Sequence, residues 1–168
     1  MKVDPKPVRP CGDCSKCCQG TLAATVLGQE IGVGKHCSYL GPKGKGCTIH
    51  NYRPSVCKQF ICEWKSNYNF PEHLRPDKTG VILSVRYFVG ADGNAYEHLR
   101  VFDTNKKANK EVYDWVKTQF DKKVYERVLY IILGVFRRAE YGILTYDKNF
   151  YEQMGNHLGG FENVKTIE

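Results

Sequence analysis

Val81-Ile-Leu-Ser-Val-Arg-Tyr-Phe-Val89, Gly90-Ala-Asp-Gly-Asn94 and Ala95-Tyr-Glu-His-Leu-Arg-Val-Phe102 form the stretch from which the rest of the chain can be ordered. Val81, Leu83, Val85, Tyr87 and Val89 alternate with Ser84 and Arg86, the period-two pattern of a strand. Asp92-Gly93 is a turn dipeptide, so Ala95 to Phe102 reads as the returning strand of a hairpin. Downstream, Ala108, Val112, Trp115, Val116, Gln119 and Phe120 make one stripe of an amphipathic helix, with Asp103 or Thr104 as its expected cap. Val128 to Phe136, VLYIILGVF, is too short for a transmembrane helix and reads as a buried strand ended by Arg137-Arg138. Gly142 to Tyr146 predicts one further strand. Asp147 to Leu158 predicts a short helix stopped by Gly159-Gly160. The expected class is α+β, with a small antiparallel sheet and one or two helices.

Upstream of the hairpin the composition changes. All eight cysteines lie between Cys11 and Cys62. They open as Cys11-Gly-Asp-Cys14-Ser-Lys-Cys17-Cys18 and continue as Cys37, Cys47, Cys57 and Cys62. A C-x-x-C loop turns two sulfurs toward one ion at about 2.3 Å, and more distant residues complete the tetrahedron. Cys11, Cys14 and Cys17 repeat that step, as do loops that wrap a cubane iron–sulfur cluster. Cys17 and Cys18 are adjacent and point apart, so one of them serves a second site or stays a free thiol. The arithmetic allows one four-sulfur site with spares, or two sites. Disulfides are the competing use of an even cysteine count. Met1 to Pro10, MKVDPKPVRP, has no apolar core of a secretory signal, so a reducing, cytoplasmic setting is expected. A thioredoxin-type redox pair at Cys11 and Cys14 would need a strand before it, and prolines stand there instead.

The runs Cys11 to Cys18, Cys37-Ser-Tyr-Leu40, and Cys47-Thr-Ile-His50-Asn-Tyr-Arg53-Pro54-Ser-Val-Cys57-Lys-Gln-Phe60-Ile-Cys62 resemble the CxxCxxCC, or YkgJ-like, cysteine-cluster family of zinc- or iron-chelating domains. Flagellin lysine N-methylases are similar in their cysteine clusters, and there the cluster accompanies an iron–sulfur centre. The resemblance covers residues 11 to 62 and includes the Arg-Pro-x-x-Cys and Phe-x-Cys elements. It implies that Cys11, Cys14, Cys17, Cys18, Cys37, Cys47, Cys57 and Cys62 are metal ligands. A 4Fe-4S cluster is the favoured cofactor, zinc the close alternative, and redox or methylase-like activity an extension. Family members commonly carry an aromatic at the position of His50, so no ligand role transfers to it.

The residues themselves add detail. Pro54 holds Arg53 extended and aims Cys57 back toward the first loop. Arg53 then lies near sulfur as a hydrogen-bond donor that tunes the site. Phe60 and Ile61 are expected to cap it with apolar surface. His36 and His50 flank cysteines but read better as ordinary hydrogen-bonded or exposed histidines. The net charge of +7 is concentrated before residue 63, where nine Lys and Arg face three Asp and Glu. Bound thiolates would cancel much of that excess, so nucleic acid is a poor candidate partner. Gly41-Pro-Lys-Gly-Lys-Gly46 lacks the form of a phosphate-binding loop and reads as a solvated connection.

The expected organisation is a cysteine-cluster region over 1–62, a linker over 63–79 and an α+β region over 80–168. No dinucleotide loop, metalloprotease helix or nucleophile elbow is present. Glu97, His98, Asp103, Arg137 and Glu140 are polar groups available to a cleft, with surface charge the simpler account. Catalytic residues are unassigned. The competing function class is a structural or assembly component, of a virus particle for example, stapled by the metal. A protein partner is expected and a membrane is not.

Overall fold

The computed structural model describes residues 8–105, 107–133 and 139–160. The chain divides into two compact units, residues 1–82 and 83–168. Helices and strands are both present in an α+β arrangement, as the sequence predicts.

The first unit is built from short pieces because cysteine, glycine and proline interrupt every run. After a 3-10 turn at Lys16–Gln19 come strands β1 (Ala24–Val26) and β2 (Gln29–Ile31), paired antiparallel with Ala24 opposite Ile31. Leu27 and Gly28, both at positive φ, close this hairpin. Such a two-residue turn matches the twist of its strands. Helices α1 (Ser55–Gln59), α2 (Glu63–Ser66) and α3 (Pro76–Thr79) follow, and α1 and α3 both begin where proline fixes the entry. Val26, Ile31 and Cys37 are buried together, with Ala24, Cys18, Tyr39, Val56 and Cys57 packed around them. Gly20 ends the first 3-10 turn at φ 92°, and a Cβ there would lie 2.3 Å from the Gly32 carbonyl oxygen. Only glycine lets the chain pass that point.

Residues 63–79, expected as a linker, belong to this first unit. Trp64 is buried at 6 % exposure, with the guanidinium of Arg9 5.4 Å and that of Arg75 5.5 Å from its ring. Its Nε1 donates to Glu72 Oε2 at 3.0 Å. Arg9 also donates to the carbonyls of Tyr68 and Phe70, and Arg75 pairs with Asp13 at 2.8 Å.

The second unit takes in all but the first two residues of β3 (Val81–Val89), which forms the expected hairpin with β4 (Ala95–Asp103), closed by the Gly90 amide donating to the Asn94 carbonyl. α4 (Lys110–Asp121) then leads to β5 (Arg127–Leu133), and β6 (Ala139–Thr145) and α5 (Lys148–His157) follow. The sheet order is β3-β4-β5-β6. β5 pairs antiparallel with β6, whereas β4 and β5 run parallel, Leu99 beside Val128. A helix between two adjacent strands returns the chain to the same end of the sheet, so the expected antiparallel sheet is mixed at its centre.

Tyr96, Phe102, Leu129 and Ile131 face Phe150 and Met154 of α5. Leu99, Val101, Val128 and Tyr130 alternate with them and are buried too, and Tyr113 of α4 meets Tyr130 edge-on. At the far end of β3, Tyr87 and Val89 are exposed and it is Phe88 that packs inward. Asn109, rather than Asp103 or Thr104, caps α4, accepting from the Val112 amide, and Asp147 caps α5 in the same way. Asp103 is instead fully buried beneath the β4–α4 connection. It accepts from Tyr130 Oη at 3.0 Å, from the Asn105 amide and side chain at 2.9 and 2.7 Å, and from the Asn109 amide at 2.7 Å. Arg137-Arg138, expected to end the fifth strand, lie outside the described residues.

Among the described residues no helix is long and apolar enough to cross a membrane.

Candidate metal centre

All eight cysteines are free, and all eight line one cavity of about 80 Å³ in the first unit. A single water needs about 10–15 Å³, so the space holds a group of several atoms. Leu22, Val26, Ile31, Ile49 and Phe60 supply apolar wall, and Lys16, Lys65, His50 and Arg53 supply polar rim. Ile61, expected to cap the site beside Phe60, is exposed at 41 %.

Each thiol is placed by a local device. Cys11 and Cys14 are joined by a tight turn, the Cys14 amide donating to the Cys11 carbonyl at 3.1 Å. Cys17 and Cys18 sit on the 3-10 turn, where the Cys18 amide donates to the Ser15 carbonyl. The Cys37 amide donates to the Cys18 carbonyl at 2.9 Å. Cys47 bridges to Leu40, so the Gly41–Gly46 loop folds back on itself. That loop also grips the first cysteine run: Ser15 Oγ donates to the Gly44 carbonyl at 2.5 Å, Gln19 Nε2 to the same oxygen at 3.0 Å, and the Gly46 amide to the Asp13 carbonyl at 3.1 Å. The expected solvated connection is a clamp. Cys57 projects from α1, and Cys62 is the residue before α2.

The electrostatics follow from crowding thiols at a half-buried place. Cys17 and Cys18 hydrogen-bond to each other. The contact pulls Cys17 down to about 7 and, with burial, pushes Cys18 up. Burial pushes Cys62 up to about 11 and raises Cys14 and Cys57. Lys65 favours the charge on Cys17, and Arg53 favours that on Cys57.

Arg53 Nη1 bonds to His50 Nε2 and also donates to the His50 carbonyl at 3.2 Å, while its buried Nε has no protein partner. Arg53 thus lies on the wall of the cavity that the cysteines line. A ring nitrogen that faces a guanidinium must accept, so His50 Nε2 is occupied. Burial and the Arg53 charge lower the His50 pKa. His36 is exposed and is not part of the wall.

Among the described residues no three His, Cys, Asp or Glu side chains already stand at metal-ligand geometry. The donor set still suits a thiophilic metal: eight free sulfurs, apolar walls and cationic neighbours, which stabilise thiolate charge. Bound metal would draw in sulfurs that now stand apart on the wall, since ligation and local folding are coupled.

The polar groups considered for a cleft are not brought together. Glu97 is exposed and bonds to Tyr87 Oη, His98 is buried against the Phe150 ring, Asp103 is enclosed as described, and Glu140 is exposed. Arg137 lies outside the described residues. Trp64 with its two arginines, which fixes the first cysteine loop, went unread because no spacing rule links Arg9 to Arg75. The three-proline run and the isolated tryptophan were its only signals. Compared with known proteins, the chain matches no family model, no curated protein and no solved structure.

Proposed function

We propose that the first unit is a thiolate metal-binding module that holds an iron–sulfur cluster, with zinc as the second reading. The observation that carries it is the convergence of eight free cysteines, spread over some fifty residues of sequence, on a single cavity. A redox-silent packing role gives no reason for that convergence, because small apolar residues would fill the space without the cost of crowding thiols. The resemblance of residues 11 to 62 to cysteine-cluster domains points the same way.

An iron–sulfur cluster, when bound, supplies one-electron chemistry whose potential depends on hydrogen bonds to sulfur and on solvent access. The chain's own contribution is to hold the thiolates, to offer the Arg53 Nε proton to sulfur, and to exclude water with Phe60, Ile49 and Leu22. Zinc would use the same thiolates as a structural staple, stabilising the fold by on the order of 10 kcal/mol. In that case the protein acts as an interaction or assembly component. The cluster reading extends to electron transfer or a methylase-like reaction.

Purification without oxygen, a visible spectrum, and elemental analysis for iron, zinc and acid-labile sulfide test the proposal. Brown protein with equal iron and sulfide supports the cluster. Colourless protein carrying zinc replaces it with the staple. Protein that binds neither metal after reduction and reconstitution ends both.

A further inference from the structure

β3 stands at one end of the sheet order, and among the described residues no strand or bridge pairs with its far side. Such an edge presents unpaired backbone donors and acceptors, which chains ordinarily protect with lysine, proline or a bulge. Val85-Arg-Tyr-Phe-Val89 contains neither lysine nor proline. Its register is unbroken: Tyr87 bonds to Glu97, Phe88 stacks on Tyr96, and Gly90 pairs with Asn94. Val81, Ile82, Leu83 and Ser84 are buried, so residues 85 to 89 are the accessible part of the strand, and Tyr87 and Val89 are exposed at 72 % and 66 %.

Antiparallel hydrogen bonds alternate between the two sides of a strand. Because Gly90 bonds to β4, the even-numbered residues of β3 direct their N–H and C=O groups inward, and Val85, Tyr87 and Val89 direct theirs to the open side. The side chains of these three residues share one face. Val124, itself exposed, lies across a groove from Val85 on the same unit.

The accessible stretch is close to a palindrome in chemistry. Laid antiparallel to a copy of itself about Tyr87, it sets Val85 opposite Val89, Tyr87 opposite Tyr87 of the second copy, and Arg86 opposite Phe88. All three outward residues then fall at hydrogen-bonded positions, each pair exchanging two backbone bonds. Valine and tyrosine pairs across strands are favourable, and a guanidinium beside a ring is attractive. Centring the pair on Arg86 would oppose two like charges. Centring it on Phe88 shortens the ladder, because the turn begins at Gly90. A foreign strand would require none of this self-matching, whereas a two-fold contact requires all of it.

We infer that β3 is a self-association edge: two copies of the chain pair through Val85 to Val89, antiparallel about Tyr87, and join their four-stranded sheets into one of eight strands. Five residues a side make a small interface, so the dimer is reversible rather than obligate. The assembly does not depend on what the cysteines hold, and its failure would leave the metal-binding reading untouched.

The test is sedimentation equilibrium of the full, reduced chain without oxygen, from the micromolar to the millimolar range, with hydrogen exchange at low and high concentration. The expected result is a monomer–dimer equilibrium in which the amides of Val85, Tyr87 and Val89 gain protection as the dimer forms. Tyr87→Lys places two ammonium groups opposite each other and should raise the dissociation constant about tenfold or more. Val89→Pro deletes one outward N–H at an edge position that tolerates proline and should weaken the dimer likewise. Tyr146→Lys, at another exposed tyrosine, should leave it unchanged. Far-UV circular dichroism checks that each variant stays folded, and the wild-type measurement needs no variant. A wild-type chain that stays monomeric to the millimolar range overturns the inference. A dimer that Tyr87→Lys and Val89→Pro leave intact, or that forms without protecting the three amides, also overturns it by placing the contact elsewhere.

Discussion

The backbone amide of Cys37 donates to the carbonyl of Cys18 at 2.9 Å, and the β1–β2 hairpin that lies between them in sequence places Val26 and Ile31 behind both sulfurs. A thiol site backed by packed apolar side chains depends on that packing for its shape. Ile31→Ala, at a position 5 % exposed, is expected to cost about 2–4 kcal/mol. It should also speed metal release to a chelator. Denaturant unfolding and chelator kinetics on the same protein check both effects.

Cys57→Ala should lower bound metal and melting temperature together. α1 presents this thiol to the cavity from a helix only five residues long, whose Val56 and Cys57 pack against Val26, Ile31 and Cys37. Full metal content with unchanged melting would remove Cys57 from the ligand set.

His50→Ala should leave metal content intact, because the Nε2 lone pair is already engaged by Arg53. Arg53→Lys keeps the charge and deletes the buried Nε donor. It is expected to keep the metal and to shift the reduction potential of a bound cluster, or the release rate of bound zinc. Elemental analysis and voltammetry separate these two outcomes from loss of the site.

Asp103→Ala should destabilise the second unit by roughly 3–5 kcal/mol, since it strands the Tyr130 hydroxyl and two backbone amides in a buried place. Asp103→Asn retains acceptor capacity and should cost less. Urea denaturation measures the difference, and metal content of the first unit serves as the control.

Asp147 accepts from the Phe150 amide and from Arg127, and these bonds hold its carboxyl below its ordinary 3.8. A depressed carboxylate stabilises the fold above its unfolded pKa and loses that contribution as pH falls through the folded one. Asp147→Asn should therefore flatten the acid limb of the stability profile below about pH 4 and leave the slope near neutral pH unchanged. Thermal melting across the acid range provides the check.

The four strands of the larger sheet and both long helices were legible because alternation, an apolar run and 3.6-residue stripes are local signals, whereas the three-residue strands β1 and β2 carried no such signal. β3 begins and ends where Val81 and Val89 predict, and α5 stops at the glycine pair. The parallel pairing of β4 and β5 was not legible, since nothing in Ala95 to Phe102 states which neighbour lies on its far side. Asp103 illustrates a second kind of limit: an Asp before a helix suggests a cap, yet burial gave it to Tyr130 and the loop amides. In the cysteine region, the thiols and their spacing were readable from the sequence. Their convergence on one cavity was not, because it depends on bonds such as Cys37 to Cys18 and Arg75 to Asp13 that join distant segments.

Trp64, held between Arg9 and Arg75, lies beyond the last cysteine. A fragment cut after Cys62 would keep every sulfur and lose the bolt that positions the first two. The smallest piece of this protein able to keep its eight-thiol cavity in shape is therefore longer than its cysteine motif. Any transplant of the motif into another scaffold has to carry the tryptophan and both arginines with it.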